Sequence, residues 1–276
     1  MRHFSVTLTS LAVSLVFIGV AHAEAVNIDA VVAKKAAIIR NMHDKAARAI
    51  VQVAQDPAFS SYFAGPHAHG AENLKQRIDH IWLPVESNFH VEEMCLIDAT
   101  GSEVSRIVRD QIAYDLSTEE ADNAFFQPSF QQKRRTTYIA PAYISADVHK
   151  WVMAYTTPIE VEGHNKAILH YEHGLDVYQA ALNKEPLSLG AYVVAVDRHG
   201  YILADSRTAI PVAQRGEDED PGVYFERFSL AGRDLNEVIA SLGNDSSGTV
   251  TGETASYQIA YREVADWTIV GVVTAP

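Results

Sequence analysis

The sequence predicts an α+β protein made of two copies of one sheet-and-helix unit, both laid along a single long N-terminal helix. Three observations predict it. Residues 27–56 carry apolar side chains at helical spacing. Two stretches, "CLIDATGSEVSRIV" and "YVVAVDRHGYILADS", repeat one pattern of apolar strand, acid (Asp98, Asp197), glycine turn (Gly101, Gly200) and return strand. Each repeat is followed by helical and further strand-like segments, which suits a mostly antiparallel sheet with helices packed on it.

The first 23 residues read as a secretory signal peptide. Arg2 and His3 precede the apolar run "FSVTLTSLAVSLVFIGV", and "AHAEA" supplies small residues at Ala21 and Ala23. Cleavage after Ala23 gives an exported, soluble chain beginning at Glu24; the alternative is an uncleaved N-terminal anchor, because the run is nearly long enough to span a bilayer.

Residues 24–90 form a helical spine. Val31, Ile38, Met42, Ala46, Ala49, Ile50 and Val53 recur at steps of three, four and seven, Asn27 or Asp29 caps the start, and Asp56-Pro57 ends the helix. A second helix is expected over 70–82, with Leu74, Ile78 and Ile81 on one side and Pro84 as its stop.

Residues 91–183 form the first sheet unit. A strand pair turns at Thr100-Gly101, an irregular polar stretch covers 118–133, and "YIAPAYISADVHKWVMAYTTPI" (138–159) reads as two strands pinched by a turn. "VEGHNK" is a turn, "AILHYEH" a strand and "GLDVYQAALNK" a helix. Residues 184–276 form the second unit: a strand pair turning at His199-Gly200, a short helix ended by Gly243, and two or three closing strands.

Composition narrows the function. The hydrophobic share is 47% and the charged share 21%, a globular balance. The net charge of −13, from 35 acidic against 22 basic residues, opposes binding to nucleic acid and to anionic lipid. Cys95 is the one cysteine, so an intramolecular disulfide is impossible; within an apolar strand it reads as a small buried residue. No G-x-S-x-G, phosphate-binding loop or dinucleotide fingerprint is present, and no enzyme activity or cofactor is expected.

Strand alternation selects the candidate binding residues. Trp151, Met153 and Tyr155 share one face of their strand; that face is either a pocket lining or the surface that packs under the long helix. Tyr138 and Tyr143 flank it, and Asp147 lies in the turn, where a backbone-capping role competes with a binding one. Arg134 and Arg135 have the chemistry to fork onto a carboxylate. Glu172 shares a face with His170 and suits an amine. His67 and His69 form an H-x-H, while His170 and His173 point to opposite faces of one strand, so no metal site is expected. The acidic run 217–220 lacks calcium-loop spacing.

In their order and spacing these segments resemble the extracytoplasmic double Cache sensor domain, a long helix followed by two PAS-like units. "LIDATGSEVSRIV", the 138–159 stretch with its Pro-Ile ending, and "KAILHYEHGLDVY" are similar to the membrane-distal unit; "YVVAVDRHGYILADSR" and "VADWTIVGVV" are similar to the membrane-proximal one. The likeness spans roughly residues 27–273. It implies a periplasmic sensor that binds a small organic ligand, an amine or a carboxylate, in the distal unit. In many members an acid on the strand before the linking helix meets the ligand amine, and Glu172 holds that position. The aromatic and arginine signature expected upstream is not matched. With the closing strand ending near Pro276, the expectation is a module without its own transmitter, working through a membrane-bound sensor kinase, diguanylate cyclase or chemoreceptor. A non-binding structural or adaptor role is the alternative.

Overall fold

The computed structural model describes residues 27–65, 73–81, 91–187, 189–213 and 220–275. The signal-like segment, His67, His69 and residues 217–219 of the acidic run lie outside the described residues.

Helix α1 (Ile28–Val53) starts where Asn27 Oδ1 accepts the amide of Ala30, at 3.1 Å. It ends before Pro57, and Asp56 then caps a separate short helix, α2 (Pro57–Ala64). A third helix, α3, covers residues 73–81. The buried stripe of α1 is Ile28, Val32, Ala36, Ile39, His43, Ala46 and Ile50. The expected stripe lay to one side of it, because apolarity alone passes over His43; Val31, Ile38 and Met42 are its half-buried flank.

The first unit is a seven-stranded antiparallel sheet. Its strands are β1 (Glu93–Asp98), β2 (Glu103–Val108), β3 (Gln111–Ala113), β4 (Tyr138–Ile139), β5 (Tyr143–Ile144), β6 (Trp151–Val161) and β7 (His164–Gly174). They run β3-β2-β1-β7-β6-β4, with β5 also paired to β6. Pro141 lacks an amide proton, and the first half of the 138–159 stretch is two short pieces instead of one strand. The segment expected to be irregular contains a 3-10 turn, Glu120–Asp122, and a short helix, α4 (Phe126–Phe130).

Helix α5 (Leu175–Asn183) leads to the second unit. Its five-stranded sheet runs β12-β13-β14-β8-β9, from β8 (Ala191–Asp197), β9 (Ile202–Asp205), β12 (Ser247–Thr251), β13 (Ser256–Val264) and β14 (Trp267–Thr274). Between β9 and β12 lie α6 (Pro221–Tyr224), the small pair β10 (Ser229–Leu230) and β11 (Arg233–Asp234), and α7 (Leu235–Leu242).

The repeat is physical. Asp98 Oδ1 accepts the amides of Thr100 and Ser102; Asp197 Oδ1 accepts those of His199 and Tyr201. Gly101 and Gly200 both have φ of 86°, a left-handed conformation that strains other residues. Both hairpins carry a bulge one or two residues before the acid, and in both units the last strand (β7, β14) pairs with the first (β1, β8).

Helix α1 lies across both sheets. Its Asp29 bonds Arg262 of β13 at 2.9 Å, and Arg40 donates to the carbonyl of Glu263 at 2.7 Å. Further along, His43 reaches Tyr155 of β6. One apolar core runs from Met94, Leu96 and Tyr155 through Ile39 and Ile50 to Ala195 and Ile269.

Candidate functional site

The face of the first sheet turned away from α1 gathers an unusual set of buried polar groups. Antiparallel register places Cys95 opposite His170, Glu93 opposite Glu172, and Glu172 opposite Ala154. Glu103 and Arg106 stand three apart on β2, which on a regular strand would send them to opposite faces. The β1–β2 bulge between Leu96 and Ile97 shifts the register so that both reach this face.

Hydrogen bonds knit these groups. Tyr143 Oη donates to Glu172 Oε1 at 2.6 Å and lies 2.9 Å from His170 Nε2. The Cys95 thiol is 2.8 Å from Glu93 Oε1 and 3.2 Å from Glu103 Oε1. Glu103 also accepts the amide of Ser117 at 2.6 Å. Arg106 reaches Glu103 and Asp147, each at 3.3 Å, and the exposed Asp115 at 2.7 Å. Phe125 stacks on His170 with ring centres 4.3 Å apart and covers the sheet.

Three buried carboxyl groups, Glu93, Glu103 and Glu172, and the exposed Asp147 thus share this face with one guanidinium. Glu172 and Glu93 are 3% and 6% exposed. Burial pushes the Glu172 carboxyl up to about 7, against the hydrogen bond from Tyr143. Burial and the charges of Glu172 and Asp147 push Glu93 well up, and burial raises Glu103. Burial also raises the Cys95 thiol, with Glu93 and Glu103 adding to it. His170 is held neutral by burial, its pKa lowered to about 3. Among the described residues, His170 Nδ1 and Arg106 Nε have no hydrogen-bond partner. Unpaired buried polar atoms of this kind are costly, which is a reason to look for an occupant.

Tyr143, which bonds Glu172 and His170, also faces outward. It lines a cleft of about 490 Å³ between the two units, with Phe125, Pro141, His199, Tyr201 and Arg227. The cleft mixes aromatic faces with a few charged groups, a usual composition for a small-molecule entrance.

The structure brings together only part of the expected site. Glu172, Tyr143 and Asp147 meet as described, and Asp147 is more than a turn former because its carboxylate faces Arg106 and Glu93. Trp151 and Tyr155 do not join them. They occupy the other face of β6, since Glu172 pairs with Ala154 and shares that residue's side of the sheet. Tyr155 Oη bonds His43 at 2.5 Å and Tyr178 at 2.6 Å, and Trp151 packs on Tyr224 and Phe225 of the second unit. This face is the joint between α1 and the two sheets, as the packing alternative held. Tyr138, on β4, is half-buried beside the Phe125–Phe126 cluster. Arg134 and Arg135 are exposed and line a shallow recess with Asp56 and Glu160, near the far end of β6 from Glu172. Cys95 is buried in an apolar cluster with Ile97, Phe125, Ala154 and Ile168, as expected, but its thiol also meets the carboxyl groups of Glu93 and Glu103. Sequence reasoning missed Glu93, Glu103 and Arg106; the period of two in "EEMCLID" was the available signal for Glu93.

No family model and no curated protein matches the chain. Solved structures do. The sensory domain of the Campylobacter jejuni chemoreceptor Tlp3 with isoleucine bound superposes with a TM-score of 0.65, at 13% identity, over 89% of this chain and 90% of that one. The chain has the fold of a bacterial sensory domain. The same fold recurs in the extracellular domain of vpHK1S-Z8, assigned as a histidine kinase, with a TM-score of 0.64 at 12% identity over 89% of this chain and 92% of that one. The ligand-binding domain of the Pseudomonas fluorescens chemoreceptor CtaA, in complex with L-serine, gives a TM-score of 0.56 at 14% identity over 88% and 93%. The sensory-domain fold agrees with the double Cache resemblance in the sequence, with the long helix and both antiparallel sheets in place.

Proposed function

We propose that the protein is an exported small-molecule sensing module whose distal unit, residues 91–183, binds a ligand bearing an ammonium group. The observation that carries this reading is the buried carboxyl of Glu172, with one oxygen held by Tyr143 and with Ser145 as its other side-chain neighbour, beside a cleft. A cation entering past Tyr143 meets an excess of acids over the single Arg106. The sensory-domain fold supports it: Tlp3 and CtaA were each solved with an amino acid bound. The reading requires binding alone, with no bond made or broken. The signal-like N-terminus supports a periplasmic location. Among the described residues no helix is long and apolar enough to cross a membrane. Passage of the signal is assigned to a membrane-bound partner, a kinase, cyclase or chemoreceptor, through a bias between two packings of the distal unit.

A thermal-shift screen of amines, amino acids and small acids on residues 24–276 tests this. A ligand at a hundredfold its Kd adds about 2.7 kcal/mol of stability. For the ligand found, calorimetry on Glu172→Gln should show affinity reduced at least tenfold, with the fold unchanged by circular dichroism. Unchanged affinity would remove Glu172 from the site. Failure of every compound would favour the adaptor reading, which the covering of the sheet by Phe125 and Phe126 supports.

A further inference from the structure

Beside Glu172, but on different atoms, the same face offers a second kind of chemistry. Glu93, Cys95 and His170 each present one ligand atom, and the three atoms lie within 4.8 Å of one another, all buried. We propose that these residues form a binding site for a divalent transition-metal ion of borderline softness, such as zinc. The donor set fits: thiolate, imidazole and carboxylate are the three zinc-binding groups of proteins, at bond lengths of about 2.0–2.3 Å. Such bonds place ligand atoms roughly 3.3–3.8 Å apart around a tetrahedral ion, so the three atoms, within 4.8 Å of one another, need to close by about 1 Å. The frame is rigid, because Cys95 and His170 are direct partners in the β1–β7 ladder and Glu93 lies two residues along on the same face.

Two further observations point to a cation. His170 is 2% exposed, its Nε2 faces Tyr143, and its Nδ1 has no hydrogen-bond partner among the described residues. The surrounding carboxyl groups outnumber the one guanidinium, so a dication offsets charge that the protein leaves uncompensated. Glu103, whose Oε1 is 3.2 Å from the thiol, is the fourth donor within reach; Arg106 and the Ser117 amide hold it in place. The metal site goes beyond the amine reading and does not depend on it.

The test uses the full chain after dialysis against a chelator, titrated with cobalt(II) and then zinc. A thiolate-to-cobalt charge-transfer absorption should grow to saturation at one equivalent and vanish as zinc displaces cobalt. Cys95 is the only cysteine, so this band on the unmodified protein can arise from no other sulfur. Cys95→Ser should abolish the band, and His170→Gln should weaken cobalt at least tenfold. A titration without the band overturns the proposal even if a variant fails to fold, as does tight binding indifferent to both substitutions. An absent cobalt band together with an amine-induced thermal shift that is lost in Glu172→Gln would leave the proposed function standing while the metal site falls. Cobalt binding without any amine response would do the reverse.

Discussion

His43 shows what one buried side chain contributes. It sits in the middle of α1, 3% exposed, stacked on Tyr178, edge-on to Trp267 and hydrogen-bonded to Tyr155. Burial lowers its pKa to about 4, against the small opposing pull of Asp44. An unfolded histidine titrates near 6.5, so between those values the unfolded chain binds the extra proton and stability rises with pH. The contribution is complete above about 6.5 and lost as pH falls through 4. Between pH 7 and pH 5 it amounts to about 2 kcal/mol. His43→Gln keeps a hydrogen-bonding group without the titration. Its urea midpoint should therefore fall less between pH 7 and pH 5 than that of the wild type, although it is lower at pH 7. Equal falls in both proteins would show that His43 is protonated without cost in the fold. His170, lowered to about 3, acts in the same direction and remains in the variant. The sequence shows His43 as a polar interruption of an apolar stripe; its burial follows from partners on β6, α5 and β14 that no local pattern reveals.

At the scale of elements, the helix can lie on the second sheet because β14 has no side chain at Gly271. A Cβ there would overlap Val32 Cγ2 and come within 2.9 Å of Ile28 Cδ1. Val32 is β-branched and stiff, so the helix itself must move. Gly271→Ala should cost about 1–3 kcal/mol by overpacking. In a double-mutant cycle, adding Val32→Ala should recover part of that loss, because the two changes act on one contact. Additive urea-unfolding energies would mean that the helix does not press on β14 at this point. The elements were the most legible part of the sequence. Asp98-Gly101 and Asp197-Gly200 announce both hairpins, because an acid accepting amides across a left-handed glycine has few other uses. The site was less legible for a geometric reason. Alternation tells which residues of β6 share a face, and it correctly groups Trp151 with Tyr155; it does not tell which face meets the helix. The bulge in β1–β2 hides the pairing of Glu103 with Arg106 in the same way, since a strand read at period two separates them.

At the scale of the whole molecule, the two sheets share their interior more than a chain of two linked units needs to. Ile39, fully buried, belongs to one core cluster with Tyr155 and Leu169 of the first sheet and Ala195 and Ile269 of the second. Trp151 packs on Tyr224 and Phe225 across the same boundary, and His43 joins Tyr155, Tyr178 and Trp267. Chains of this length with two units often unfold in stages. Here a unit that unfolded alone would strip one side of α1 and expose the core of the other, so the cost of partial unfolding approaches that of complete unfolding. The expected outcome is a single urea transition in which far-ultraviolet circular dichroism and tryptophan fluorescence coincide. Ile39→Ala should lower its midpoint, by about 2–5 kcal/mol of stability, and leave it single. A biphasic curve would show that α1 is dispensable to one sheet. The ligand-induced change proposed for the distal unit would then be absorbed at the joint instead of being carried along the helix toward the proposed partner.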